Sequence, residues 1–153
     1  MVGILATDNF EDISRIAPEA LAVTNRLTGK ILVNGNICSA LSDTTFEVIH
    51  PGDRSIIGYA PRCGKLDVDA AVEAAGKAFG SWRKVPARER GRMLQKAADM
   101  VEAQATLVEQ VLALDTGNAL KTQARPETAS AIDLIRMFGM RHFFCLLPKS
   151  DRR

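Results

Sequence analysis

Thiols, imidazoles and carboxylates carry most protein chemistry, and this chain sets few of them at spacings that would make them work together. Cys38, Cys63 and Cys145 are widely separated and odd in number, with no Cys-x-x-Cys pair. Neither a zinc knuckle nor a thioredoxin-like redox pair is therefore available. Of the two histidines, His142 has no carboxylate or histidine at helical spacing and His50 falls in an expected hairpin, so neither suggests a metal site. A catalytic Cys–His pair is not settled by spacing, since such partners meet in space. Here Cys38 falls in an expected strand, Cys63 before a turn and Cys145 in an atypical tail. Glu102 and Glu109, two turns apart on consecutive helical stretches, read as solvated charges rather than an acid/base pair. No Gly-x-Gly-x-x-Gly follows a strand, and no Gly-x-x-x-x-Gly-Lys-Ser/Thr occurs, so no phosphate-cradling turn is legible.

The elements that would position a site come next. The first 28 residues hold an amphipathic stretch with Ile13, Ile16, Leu21 and Val23. It is interrupted by Pro18, which suits the first turn of a second helix. From Lys30 the period becomes strand-like. Asn34-Gly35 between Ile31-Leu32-Val33 and Asn36-Ile37-Cys38 is a hairpin signal, because both turn residues accept positive φ. A second hairpin is expected from Phe46–Ile49 and Ser55–Ala60 around Pro51-Gly52-Asp53-Arg54. After Arg62 the pattern is helical. Val68, Ala71, Val72, Ala75 and Phe79 share a face, and Gly80-Ser81-Trp82 ends that helix. Pro86 opens a second helix with Leu94, Ala97, Ala98 and Val101. Leu107, Val108, Val111 and Leu112 make a third, closed by Asp115-Thr116-Gly117. Ala131, Ile132, Ile135 and Phe138 make a fourth, ending near Gly139. The fold class is α/β: hairpins followed by four amphipathic helices. Two hairpins offer few strands to cover four helices, so the helices are expected to need a sheet that this chain does not encode.

With 153 residues, 46% hydrophobic and 25% charged, the chain is the size and composition of one soluble globular domain. Its formal net charge of +2 predicts neither nucleic acid nor an anionic membrane as partner. The apolar start lacks a basic segment and is not expected to act as a secretory signal. The longest apolar run, Phe143 to Leu147, is far below the roughly 20 residues of a membrane helix. A cytoplasmic protein with reduced, scattered thiols is expected.

The most specific signal is an ordered series. Phe46-Glu47-Val48-Ile49-His50-Pro51 leads to Ile57-Gly58-Tyr59-Ala60-Pro61, then to Asp67-Val68-Asp69 opening a helix that closes on Phe79 and Trp82. Arg90-Gly91-Arg92-Met93-Leu94 and Leu114-Asp115-Thr116-Gly117 follow. In this order and spacing the series resembles the aldehyde dehydrogenase superfamily over about Ile31 to Gly139. Every element also reads as scaffold, with Phe79 and Trp82 expected to plug the junction of two helices. The chain departs from the pattern in places. His50 stands where the superfamily has asparagine before the proline, Gly52-Asp53-Arg54 stands for its Thr-Gly-Glu turn, and Asn118 for a lysine. After Gly139 the sequence no longer follows it, and a change of reading frame or a mis-set gene end is the simplest cause. The resemblance thus divides the chain into an N-terminal extension (1–30), a partial N-terminal piece of the cofactor-binding, Rossmann-like domain (31–139) and an atypical tail (140–153).

Full members are similar in mechanism, oxidising an aldehyde to an acid with NAD or NADP. A cysteine thiolate attacks, an asparagine and a backbone N–H hold the oxyanion, and a glutamate activates water. The Pro-Trp-Asn, Glu-Leu-Gly-Gly and Gly-Gln-x-Cys segments that carry these roles do not occur here. The resemblance therefore implies no catalytic residue and no cofactor bound by this piece, and none of the three cysteines is the nucleophile. It does imply a possible monovalent-cation site built from the Val48 and Ile49 carbonyls and Asp115, the hard oxygen ligands such cations prefer. The plainer reading of Asp115 is a solvated helix-end residue. A non-catalytic regulatory partner of a full-length relative and an unrelated helical interaction module are the alternative functions. Self-association through uncovered apolar helix faces is the expected partnership.

Overall fold

A computed structural model of the chain describes residues 17–144, with side chains described as far as Met140. The expected helical positions Ile13 and Ile16, and the tail from Cys145 onward, lie outside the described residues. The order is α1 (Pro18–Arg26), β1 (Lys30–Val33), β2 (Asn36–Ser39), β3 (Thr45–Ile49), β4 (Ile56–Pro61), α2 (Lys65–Trp82), α3 (Ala87–Glu102), α4 (Ala105–Thr116), a π-type turn (Leu120–Ala124) and α5 (Arg125–Phe144).

The turn chemistry acts where the residues predict it. Asn34 and Gly35 have φ of 53° and 77°, the left-handed pair that lets β1 and β2 close on a two-residue loop with Ile31 opposite Cys38. Pro18 opens α1, where its missing N–H is no loss. Gly117 ends α4 at φ 72°, a conformation that a side chain resists. The second hairpin turn forms around Pro51-Gly52-Asp53-Arg54, and its left-handed residue is Arg54, at φ 65°. The Asp53 carboxylate holds that turn by accepting from the Ser55 N–H and hydroxyl at 2.9 and 2.7 Å, which also draws the Asp53 carboxyl below its ordinary range. The last helix runs to Phe144 rather than ending near Gly139.

Two packing centres hold the described residues. In the first, Ala17 just before α1, Ala20 within it, Ile57 of β4 and Leu114 of α4 are buried together, with Val48, Leu107 and Val111 around them. Ile57 is the extra residue of a β-bulge, since Val48 faces Gly58 but Ile49 faces Ile56. Its freed carbonyl accepts a 2.5 Å hydrogen bond from the Thr24 hydroxyl, docking α1 on the hairpin. In the second centre, α3 and α5 approach on small residues: Gly91, Ala98 and Gly139 are buried. Gln95 Nε2 donates to the Arg136 carbonyl at 2.8 Å, and Arg136 pairs with Asp99 and Glu102.

Among the described residues no large side chain is fully buried. The α2 stripe is the clearest case, with Val68, Val72 and Phe79 at 54%, 66% and 59% exposure. Phe79 and Trp82 therefore do not plug a helix junction: both are exposed, because α3 packs against α5 and leaves α2 uncovered. What fixes α2 is its first turn. Asp67 is 6% exposed, and its carboxylate accepts from the Leu41 N–H at 2.8 Å and the Gly64 N–H at 2.9 Å. Those two donors hold its carboxyl below the usual aspartate range.

Candidate functional site

One concave feature stands out. A cleft of about 620 Å³ lies between α1, the β3–β4 hairpin and α4, walled by apolar residues such as Val23, Ile57, Tyr59 and Val111, with Lys30 and Asp115 as its charged members. Val48 and Asp115, two of the three residues expected to serve a cation, both line this cleft. Ile49, the third, has an exposed side chain, and only its main chain matters to the proposed role.

The elements that bring these residues together are the end of β3 and the end of α4. The bulge falls between Val48 and Ile49, so the regular ladder is interrupted where the two carbonyls stand. Directly after them, His50 Nδ1 lies 2.7 Å from the Leu114 carbonyl. A carbonyl only accepts, so the ring carries its proton on Nδ1 and donates. Leu114 is in the last turn of α4, where carbonyls lack an intrahelical partner. The next residue is Asp115, whose exposed carboxylate has no hydrogen bond or ion pair among the described residues. Two glycines complete the fit. A methyl group at Gly117 would sit 3.1 Å from Pro51 Cβ, and one at Gly52 would sit 2.8 Å from His50 Nε2.

The donor set is all oxygen: two main-chain carbonyls at a ladder break and one unpartnered carboxylate. Such a set fits a hard cation and does not suit a soft transition metal. Among the described residues no group of three or more His, Cys, Asp or Glu side chains could hold a metal ion.

The other candidates separate. Cys38 and Cys63 are free, exposed thiols; Cys145 and the His142 side chain lie outside the described residues. Glu102 is exposed and paired with Arg136, which lowers its carboxyl pKa, as a solvated charge would be. Glu109 is a correction to the expectation of a solvated charge. It is 8% exposed and meets Arg125 Nε at 3.2 Å, because the π-type turn swings Arg125 back over α4. Sequence reasoning also missed the structural role of Asp67. The signal was present, since an acidic residue three places into a helix can reach back to the first free N–H groups.

Comparison with known proteins agrees with this scaffold. A sequence profile described as the aldehyde dehydrogenase family matches residues 37–142. An aldehyde dehydrogenase of Alternaria alternata is 36% identical over 110 residues, covering 71% of this chain and 22% of that protein. The HpcC structure from Thermus thermophilus superposes with a TM-score of 0.77 at 26% identity, over 82% of this chain and 24% of that one. A structure of PnpE in complex with nicotinamide adenine dinucleotide matches at 31% identity and a TM-score of 0.70, over 74% and 23%. The chain spans about a fifth of the length of the curated relative, 22%. Among the described residues no helix is long and apolar enough to cross a membrane. The hairpins and helices are an incomplete piece of the α/β fold of these relatives, and the chain belongs to the aldehyde dehydrogenase family.

Proposed function

We propose that this chain supplies the N-terminal scaffold of an NAD(P)-dependent aldehyde dehydrogenase and does not carry out hydride transfer by itself. The observation that carries the reading is the character of the cleft between α1, the β3–β4 hairpin and α4. It joins the matched scaffold elements and is lined by apolar residues, Lys30 and Asp115, with no thiol, histidine or glutamate poised as nucleophile or base. The segments that bear those groups in the superfamily are not in the sequence. The purified chain, given NAD or NADP and a panel of aldehydes, yields no NADH or NADPH absorbance above a heat-killed control. A thiol-sensitive rise in that absorbance overturns the reading.

Within this scaffold the β3–α4 corner serves as a monovalent-cation site through the Val48 and Ile49 carbonyls and Asp115. A cation bound there neutralises the carboxylate and ties hairpin to helix. At a cation concentration ten times Kd the added stability is about 1.4 kcal/mol. Potassium therefore raises the unfolding midpoint relative to tetramethylammonium at equal ionic strength, and Asp115→Ala removes the difference. Equal midpoints for the unmodified chain in the two salts leave Asp115 a solvated helix-end residue.

A further inference from the structure

The corner contains a side chain that the oxygen ligand set does not use. His50 follows Val48 and Ile49 directly, and the carbonyl that its Nδ1 meets at 2.7 Å belongs to Leu114, directly before Asp115. One hydrogen bond thus joins the two ligand-bearing segments, 64 residues apart in sequence. The main chain of His50 is fixed as well. Its N–H donates to the Ser55 carbonyl at 2.8 Å, and its carbonyl accepts from the Arg54 N–H at 3.0 Å. Gly52 leaves room for the ring in this place, since a methyl group there would come within 2.8 Å of Nε2.

We propose that His50 is a positioning residue for the cation site: its ring N–H, donated to the Leu114 carbonyl, sets the separation between the Val48 and Ile49 carbonyls and the Asp115 carboxylate. This rests on the cation reading above. The geometry makes a sharp distinction among replacements. An asparagine Nδ2 stands on Cγ, as the histidine Nδ1 does, and donates from the same place. A glutamine amide is one bond longer and delivers its donor beyond the carbonyl. Alanine has no donor at all, and leucine fills volume without one.

The test combines two measurements on the full chain. The first is the midpoint shift between potassium and tetramethylammonium chloride at equal ionic strength. The second is amide exchange in the last turn of α4, read at Gly117, whose N–H donates to the Ala113 carbonyl. His50→Asn keeps the potassium shift and the slow exchange. His50→Ala, or His50→Leu if the alanine variant does not fold, loses the shift while Asp115 is intact, and its Gly117 amide exchanges about tenfold faster, the scale of one net hydrogen bond. His50→Gln behaves like alanine. Gly52→Ala lowers the potassium shift in the unmodified chain but not in the His50→Asn background, where no ring meets the added methyl group. A full potassium shift in His50→Ala and His50→Leu overturns the proposal, as does unchanged Gly117 exchange. If the unmodified chain shows no shift, the cation reading fails by itself. The exchange rates then decide whether His50 positions the helix end: slow in His50→Asn and faster in His50→Ala sustains that role, and equal rates end it.

Discussion

Gly117→Ala is the substitution that asks most of the corner between hairpin and helix. At φ 72° an alanine pays the left-handed penalty of about 1–2 kcal/mol. The new methyl group also meets Pro51 Cβ at 3.1 Å and Cγ at 3.3 Å, a few tenths of an ångström inside ordinary carbon contact. Pro51 is exposed and can retreat, but it is bonded to His50. Its retreat therefore stretches the 2.7 Å hydrogen bond to Leu114, which is worth about 0.5–1.5 kcal/mol net. The combined loss is about 2–3 kcal/mol, of which torsion is the larger share. In urea, with a slope of roughly 1–3 kcal/mol per molar, the midpoint falls by about 1 M with the slope unchanged. Gly117→Asn separates the causes, because asparagine tolerates the left-handed region yet carries the same Cβ. It is expected to recover at least half of the loss. A loss below about 0.5 kcal/mol for alanine, the ordinary range of surface substitutions, refutes the assignment of strain to this residue. An asparagine as costly as alanine refutes torsion as the main term.

Two further perturbations read other parts of the scaffold. The Asp67 carboxyl is held low by the Leu41 and Gly64 N–H groups, so its contribution is complete above the ordinary aspartate value of about 3.9. It is lost as pH falls through that value toward the lower folded one. Asp67→Asn is therefore expected to flatten the acid limb of the stability profile, and parallel limbs in urea titrations at stepped pH would sink this. The exposed α2 stripe predicts weak self-association with a broad thermal transition and hydrophobic-dye binding. Val72→Lys with Phe79→Lys moves elution toward the monomer while changing stability by less than about 0.5 kcal/mol. Unchanged elution after both substitutions would assign the association elsewhere.

How much of this is legible in the sequence depends on how far apart the partners lie. Asn34-Gly35, Pro18 and Asp115-Thr116-Gly117 act within a few residues, through torsional preference or a missing N–H, and each marks the boundary it predicts. The α2 stripe is also legible as a helix face from its period. Its lack of cover follows from the shortage of strands, whereas the specific placing of Phe79 and Trp82 in a helix junction is not correct. A period shows that a face exists and leaves open what meets it. Glu109 shows the same limit from the other side. Its burial comes from Arg125 across a π-type turn, and nothing local to Glu109 announces that partner. The His50–Leu114 bond spans two elements and cannot be read from either.

The division between what this chain buries and what it exposes bears on its function. The residues buried most completely are small: Ala20, Ala98 and Ala124 are each at 0% exposure. Small residues allow elements to approach closely but remove little apolar area, and burial yields only about 25 cal/mol for each Å². Many large apolar side chains, Val72, Phe79, Met100 and Leu134 among them, remain exposed. The elements are thus well specified in shape by caps, turns and close glycine contacts, and poorly supplied with core of their own. Such a scaffold would be stabilised by burial of those faces. The charged groups follow the same pattern. Asp67, Glu109 and Arg136 are committed to holding elements together, and Asp115, beside the His50 hook, is the carboxylate of the β3–α4 corner left without a partner among the described residues. A polar group so placed is where this scaffold can offer a ligand rather than a fold, and it is there, rather than at its thiols, that the chain's own chemistry should be sought.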